Sequence, residues 1–357
     1  MSRVGRAPDV AVIGGGIVGA AAAAFLAEAG ARVVLYERDR IAGAASGRNS
    51  GVIQHPYDPV LADLHRETLE LYRELEGLEL PPARAGVLLL AGRREALAGT
   101  AAGLARDCPE LHPELVEPGE LEPALAPGLA ACLIDTGYPV RPAAATIAFA
   151  ERARRGGATL LEGSEARPWI DDARLRGIVA AGERRPAGAV LVAAGPWTPS
   201  VVAAPLPIAP VWGVNVEVDL EEPPRHVLEE VGVEDVGTGS GPRSLFSLVT
   251  AGGISALGST FLADEPDPAA LHGGLVRRGE RFVPALAGAR VVSALACARP
   301  QCADGRPLTG PVADGLHVAA GHGPWGISTG PASARLAVDV LLGRRDPPAA
   351  LDARRFA

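Results

Sequence analysis

The segment that most constrains this chain lies near its start. Asp9-Val10-Ala11-Val12-Ile13 is a short apolar run of the kind that a buried parallel strand shows. Gly14-Gly15-Gly16-Ile17-Val18-Gly19 follows as G-x-G-x-x-G, and Ala20 to Ala29 is rich in helix formers and stops at Gly30. A second strand, Val33-Val34-Leu35-Tyr36, ends in Glu37. In such a frame Gly14 makes the tight turn, Gly16 lets a pyrophosphate approach the backbone, and Gly19 lets the helix pack on the strand. The helix start at Ile17 and Val18 offers free N–H groups and a positive dipole end to phosphate. Glu37, 18 residues beyond Gly19 and followed by Arg38, can accept hydrogen bonds from ribose hydroxyls. The frame predicts a Rossmann-type dinucleotide site, and the motif alone does not separate FAD from NAD.

At 357 residues the chain fits a two-domain enzyme. A net charge of -8 argues against nucleic acid, which needs a concentrated basic surface. All 34 Lys+Arg residues are arginine, so no Schiff-base or lysine-based catalysis is open to the chain. Cys108, Cys132, Cys297 and Cys302 are too few and scattered for a disulfide scaffold, and a reduced cytoplasmic protein is expected. The N-terminus reads as a core strand broken by glycines, without a signal peptide. The apolar run from Ile17 to Ala29 is too short to cross a bilayer, so no transmembrane segment is expected; peripheral membrane contact stays open.

Ala44-Ala45-Ser46-Gly47-Arg48-Asn49-Ser50-Gly51-Val52-Ile53 resembles the second FAD-binding segment of the D-amino-acid-oxidase-like superfamily. That superfamily includes glycine oxidase, monomeric sarcosine oxidase, D-amino acid dehydrogenase and 2-hydroxyglutarate dehydrogenase. The resemblance implies a loop running beneath the pyrophosphate toward the isoalloxazine, where small side chains let the backbone touch the cofactor. Ala189 to Trp197 reads as a buried strand entering a glycine turn, and its Ala193-Ala194-Gly195-Pro196-Trp197 is similar to the superfamily's "vvAAGaW" signature. Cys297 to Gly310 resembles the "lRPxtxDGxPxiG" block, which implies that Arg299 binds a substrate carboxylate as a bidentate fork. Gly321-His322-Gly323-Pro324-Trp325-Gly326-Ile327-Ser328-Thr329-Gly330-Pro331 is similar to the closing "GHGxxGxxxgp" loop. From Pro331 a helix is expected to Leu342, its positive end near the flavin pyrimidine ring.

The fold class implied is α/β with an α+β second domain. A discontinuous FAD-binding domain (1–79, 140–205 and 293–357) would carry an inserted antiparallel-sheet substrate domain (80–139 and 206–292). Asp58-Pro59 is a cap and first-turn pair for a helix to about Leu75, and Ala144 to Arg155 reads as another. Residues 206 to 292 alternate apolar and polar, as in Val214-Asn215-Val216-Glu217-Val218, so one face of their strands would roof the substrate pocket.

The expected activity is oxidation of an amino acid or N-alkyl amino acid at the α carbon. Arg299 would hold the carboxylate, a hydride would pass to FAD, and the imine would hydrolyse to a 2-oxo acid. His55 and Tyr57 directly follow the flavin loop and reach either the flavin face or the pocket mouth; a surface or core histidine is the competing reading of His55. Trp212 walls the pocket or packs in the core. Cys297 stands seven residues before Asp304, where the resemblance to sarcosine oxidase places a thioether to flavin. Glycine-oxidase-like relatives bind FAD non-covalently, and that is the favoured expectation here. Sarcosine-oxidase-like enzymes activate oxygen with a lysine that this chain lacks, so the electron acceptor is either oxygen or a quinone or other carrier. The alternatives are a 2-hydroxy-acid dehydrogenase and a non-catalytic flavin-binding subunit.

Overall fold

A computed structural model describes residues 9–232 and 244–356. In chain order β1 (Val10–Ile13), α1 (Ile17–Glu28), β2 (Val33–Tyr36), β3 (Val52–Ile53) and α2 (Pro59–Arg73) come first. Next are β4 (Val87–Ala91), α3 (Arg94–Asp107), β5 (Glu114–Val116), α4 (Pro118–Leu121), β6 (Ala130–Ile134), β7 (Tyr138–Pro139) and α5 (Ala144–Arg155). Then follow β8 (Thr159–Leu161), β9 (Ala166–Asp171), β10 (Arg174–Ala180), β11 (Glu183–Pro186), β12 (Ala189–Val192) and α6 (Thr198–Val202). The last third holds β13 (Ile208–Asp219), β14 (Val227–Glu230), β15 (Ser244–Ala251), β16 (Ile254–Thr260) and α7 (Pro268–Gly279). It closes with β17 (Arg290–Cys302), β18 (Leu308–Ala313), β19 (Leu316–Ala320) and α8 (Gly326–Leu341).

The strand–helix–strand opening folds as its pattern dictates. β1 lies between β2 and β12 in a six-stranded sheet of order β18-β19-β12-β1-β2-β8, parallel except for the edge pair β18–β19. Alternate β1 residues feed two cores. Val10 and Val12 pack under α1, α5 and α8, while Ala11 and Ile13 pack toward the antiparallel β9–β11 meander. α1 is buried along almost its whole length, which is why Ala20 to Ala24 carry no larger side chain.

A second sheet of eight strands runs β17-β13-β16-β15-β14-β4-β6-β5. Both inserted segments contribute, because β14 pairs in parallel with β4 and so joins residues 206–292 to residues 80–139. Residues 293–302, grouped with the FAD-binding domain above, belong to this sheet: β17 pairs with β13 from Ile208 opposite Cys302 to Asp219 opposite Arg290. The stretch read as strands throughout also contains a helix, α7, whose N-cap Asp267 accepts from the Ala269 N–H.

α8 starts at Gly326, five residues before Pro331, where a start was expected. A proline inside a helix deprives the carbonyl four residues earlier of its donor. Here that carbonyl belongs to Ile327, and the buried Tyr72 hydroxyl on α2 donates to it at 2.7 Å.

Candidate active site

An elongated cavity runs from the carboxyl ends of β1, β2 and β12 to the underside of the eight-stranded sheet, with about 1990 Å³ of open space including its mouth. Its first end is built by the opening motif. Gly14 has φ of 113°, and a Cβ there would stand 2.4 Å from the Ala193 carbonyl oxygen. Gly19 does not line the cavity; its Cβ would lie 1.9 Å from the Gly14 oxygen, so its task is the close packing of helix on turn. The N-cap of α1, Gly16, has no side chain of its own to cap the helix. Ser46 folds over that helix start and accepts from the Ile17 N–H at 2.9 Å. Glu37 accepts from the N–H groups of Gly15 (2.6 Å) and Asp39 (2.8 Å), which aims its carboxylate along the cavity wall. The Arg38 guanidinium stacks on the Trp197 ring 4.0 Å from its centroid.

Of the residues expected to touch FAD, Gly14, Gly16, Ile17, Val18, Glu37, Arg38, Ala45, Ser46, Asn49, Ser50 and Val52 line the cavity. So do Ala194, Gly195, Trp197, Arg299, His322, Gly323, Gly326, Ile327 and Ser328. Arg48, Gly51, Ile53, Gly321 and Thr329 stand one layer back. Arg48 donates to the Ala296 carbonyl of β17 at 3.2 Å, and Thr329 donates to the Trp325 carbonyl at the start of α8.

Three expected catalytic positions fall outside the cavity. His55 is buried behind the wall: its N–H donates to Thr136 Oγ1, and its Nε2 lies 3.1 Å from Glu110 Oε1. The Tyr57 N–H donates to His55 Nδ1, which leaves the ring proton on Nε2 facing Glu110. Cys108 shares this cluster, yet with Nδ1 accepting, Nε2 has no lone pair to offer a metal ion. Tyr57, at φ of 55°, turns the chain into α2 and backs the wall, its hydroxyl donating to Glu229 Oε2 at 3.4 Å and its ring edge-on to Trp325. Trp212 packs among the core side chains of the second sheet. Successive strand residues face opposite ways, and its neighbour Gly213 is the one turned to the cavity side.

The far end of the cavity lies under β13–β17 and carries Arg299. Its guanidinium donates to the Thr260 carbonyl (2.9 Å) and the Ser259 hydroxyl (2.5 Å) and lies over the Phe261 ring. No carboxylate among the described residues is within ion-pair distance of it. Burial lowers its pKa from the ordinary arginine value, and the Cys297 thiol nearby acts the other way. Cys297 also lines the cavity, and burial pushes its thiol up. His322, buried in the closing loop, is brought down to about 4 by burial, so its ring is neutral at neutral pH.

Gln54, Asn215, Glu229, Ser247, Ser259 and Phe261, which no sequence motif marks, complete these walls. The signal was present in part: Asn215 is the polar position in an alternating run whose valines face the core. Gln54, Asn215 and His322 each leave one buried polar atom in the lining without a hydrogen-bond partner among the described residues, namely Oε1, Oδ1 and Nε2. Glycine-lined backbone at one end, a helix start aimed at it, a stacked aromatic and unsatisfied polar atoms fit a large, hydrogen-bonding dinucleotide with room for a small anion beside it.

Comparison with known proteins agrees with that chemistry. The FAD dependent oxidoreductase family model matches residues 9–340. Glycine oxidase of Geobacillus kaustophilus is 28% identical over 364 residues, covering 93% of this chain and 92% of the relative. The crystal structure of glycine oxidase from that organism superposes with a TM-score of 0.80 at 27% identity, covering 98% of each chain. L-proline dehydrogenase from P. horikoshii shares the fold at a TM-score of 0.84 and 20% identity, covering 99% of this chain and 98% of its own. No helix among the described residues is long and apolar enough to cross a membrane. The chain belongs to the FAD-dependent oxidoreductase family, the D-amino-acid-oxidase-like flavoenzymes, and FAD is its cofactor.

Proposed function

We propose that the enzyme oxidises the α C–N bond of a small amino acid or N-alkyl amino acid. The observation that carries this reading is Arg299: a half-buried cation in the cavity wall, held by two neutral acceptors and matched by no carboxylate among the described residues. Leaving such a charge uncompensated is costly, and a substrate carboxylate supplies the counter-charge. Gly14, Gly16, Ser46 and the start of α1 would hold the pyrophosphate, and Glu37 the ribose hydroxyls. The start of α8 would face the flavin ring.

When bound, FAD supplies the two-electron acceptor, so that the substrate leaves as an imine which water hydrolyses to a 2-oxo acid and ammonia or an amine. The chain's own residues bind and orient. Arg299 fixes the carboxylate, and Ser259 and the Thr260 carbonyl fix Arg299. Neutral His322 adds no competing charge beside the anion site. That the relatives the chain resembles over nearly its whole length are glycine oxidases supports an amine substrate over a hydroxy acid. Anaerobic titration of the yellow protein with paired amino and 2-hydroxy acids tests the reading. Bleaching of the flavin band by an amino acid is expected; bleaching by hydroxy acids alone would overturn it.

A further inference from the structure

Asn215 has no task in the reading above. It is 5% exposed and lines the cavity. Its Nδ2 donates to the Arg48 carbonyl at 2.8 Å, which fixes the amide and turns Oδ1 the other way. Oδ1 has no donor among the described residues. On the sheet, Val216 opposite Leu257 sets Asn215 opposite Gly258; Gly258 in turn faces Ser247. The bare backbone of Gly258 lets Asn215 Oδ1 and Ser247 Oγ close in beside it, since a Cβ there would be 2.7 Å from Asn215 Oδ1 and 3.0 Å from Ser247 Oγ. The next two residues, Ser259 and Thr260, are the ones that hold Arg299. Anion anchor and acceptor therefore adjoin three consecutive residues of one strand, Gly258, Ser259 and Thr260.

We propose that Asn215 Oδ1 receives the α-amine of the substrate whose carboxylate Arg299 holds, and that it selects amines over hydroxyls. This rests on the amino-acid reading above. With the substrate bound as its free amine, the ammonium proton having gone to solvent, the nitrogen's own lone pair closes C=N as the α C–H leaves as hydride to FAD, giving the iminium, and no protein group has to take a proton from nitrogen in that step. A hydroxyl in the same place must surrender its proton as C=O forms, and an amide oxygen is no base for it. Asn215 is thus a specificity-determining residue that needs only to accept an N–H.

The test compares native holoenzyme with Asn215→Leu and Asn215→Asp. Binding is read without turnover by titrating 2-aminoisobutyrate, which has no α C–H, against isobutyrate, which has no amine. Loss of the acceptor in Asn215→Leu should weaken 2-aminoisobutyrate about ten- to a hundredfold and leave isobutyrate unchanged. Asn215→Asp keeps an acceptor but loses the bond to Arg48, so it should retain the preference for the amine. Equal loss in both variants would mean that Asn215 only tethers the Arg48 loop, and would overturn the assignment. Loss of FAD content with an unchanged amine preference would overturn it too, by giving Oδ1 to the cofactor. If no amino acid reduces the native flavin, the activity reading fails; amine binding that still depends on Asn215 would then keep the subsite while removing the reaction.

Discussion

Arg299 lies across Gly213: a Cβ on Gly213 would stand 2.3 Å from Nη1 and 2.4 Å from Nη2. Gly213 pairs with Cys297 on the neighbouring strand, so the bare backbone of β13 is the bed on which the guanidinium rests. Gly213→Ala is expected to push the guanidinium off Ser259 and the Thr260 carbonyl while leaving the strand paired. Steady-state kinetics should show KM for the amino acid raised about tenfold or more, with FAD content unchanged. An unchanged KM would show that the guanidinium does not need that bed.

Tyr72 and Pro331 make a second dependent pair. The Tyr72 hydroxyl is the donor that Pro331 cannot provide to the Ile327 carbonyl at the start of α8. Tyr72→Phe leaves that buried acceptor unsatisfied and should cost about 1–3 kcal/mol of unfolding free energy, measured in urea. Because Ile327 lines the cavity, FAD affinity should fall with it.

Two buried histidines set a pH dependence. His65 is lowered to about 4, by burial first and by neighbouring His55 second, and His322 is lowered to about 4 by burial. Their folded-state pKa values lie below the unfolded value of 6.5, so the unfolded chain binds more protons in between. Stability is expected to hold above pH 6.5 and to fall as the pH drops from 6.5 toward 4. Replacing His65 with Gln should flatten part of that slope in a series of melts across the range.

Cys297 bears on how FAD is held. Its thiol lines the cavity but burial pushes its pKa up, which disfavours the thiolate that a thioether bond to flavin would need. Acid precipitation is expected to leave the yellow colour in the supernatant. Colour retained in the pellet, and lost from it in Cys297→Ala, would establish covalent attachment.

The nucleotide-binding half was legible because its signals are local. A strand, a glycine turn, a helix and an acidic strand end within 30 residues fix their own geometry, and Asp58-Pro59 marks the start of α2 by the same logic. Asp267-Pro268 carries that same signal for α7, hidden among strands. What escaped is non-local. The wall opposite the glycine turn is assembled from β13 to β17, where register alone decides that Trp212 faces the core and Gly213 faces Arg299. His55 and Tyr57 follow the flavin loop in sequence, but Thr136 and Glu110, from distant segments, draw His55 behind the wall. The parallel pairing of β14 with β4 likewise depends on two segments that sequence proximity never joins.

The central claim is that Arg299 recognises the substrate by its carboxylate. The most direct test is anaerobic flavin reduction by one amino acid and by its primary amide, in native enzyme and in Arg299→Ala. The account predicts that the native enzyme favours the acid over the amide by about a hundredfold in kcat/KM, and that Arg299→Ala loses most of that preference by losing the acid. Equal rates for acid and amide in the native enzyme, or a preference that survives in Arg299→Ala, would contradict it.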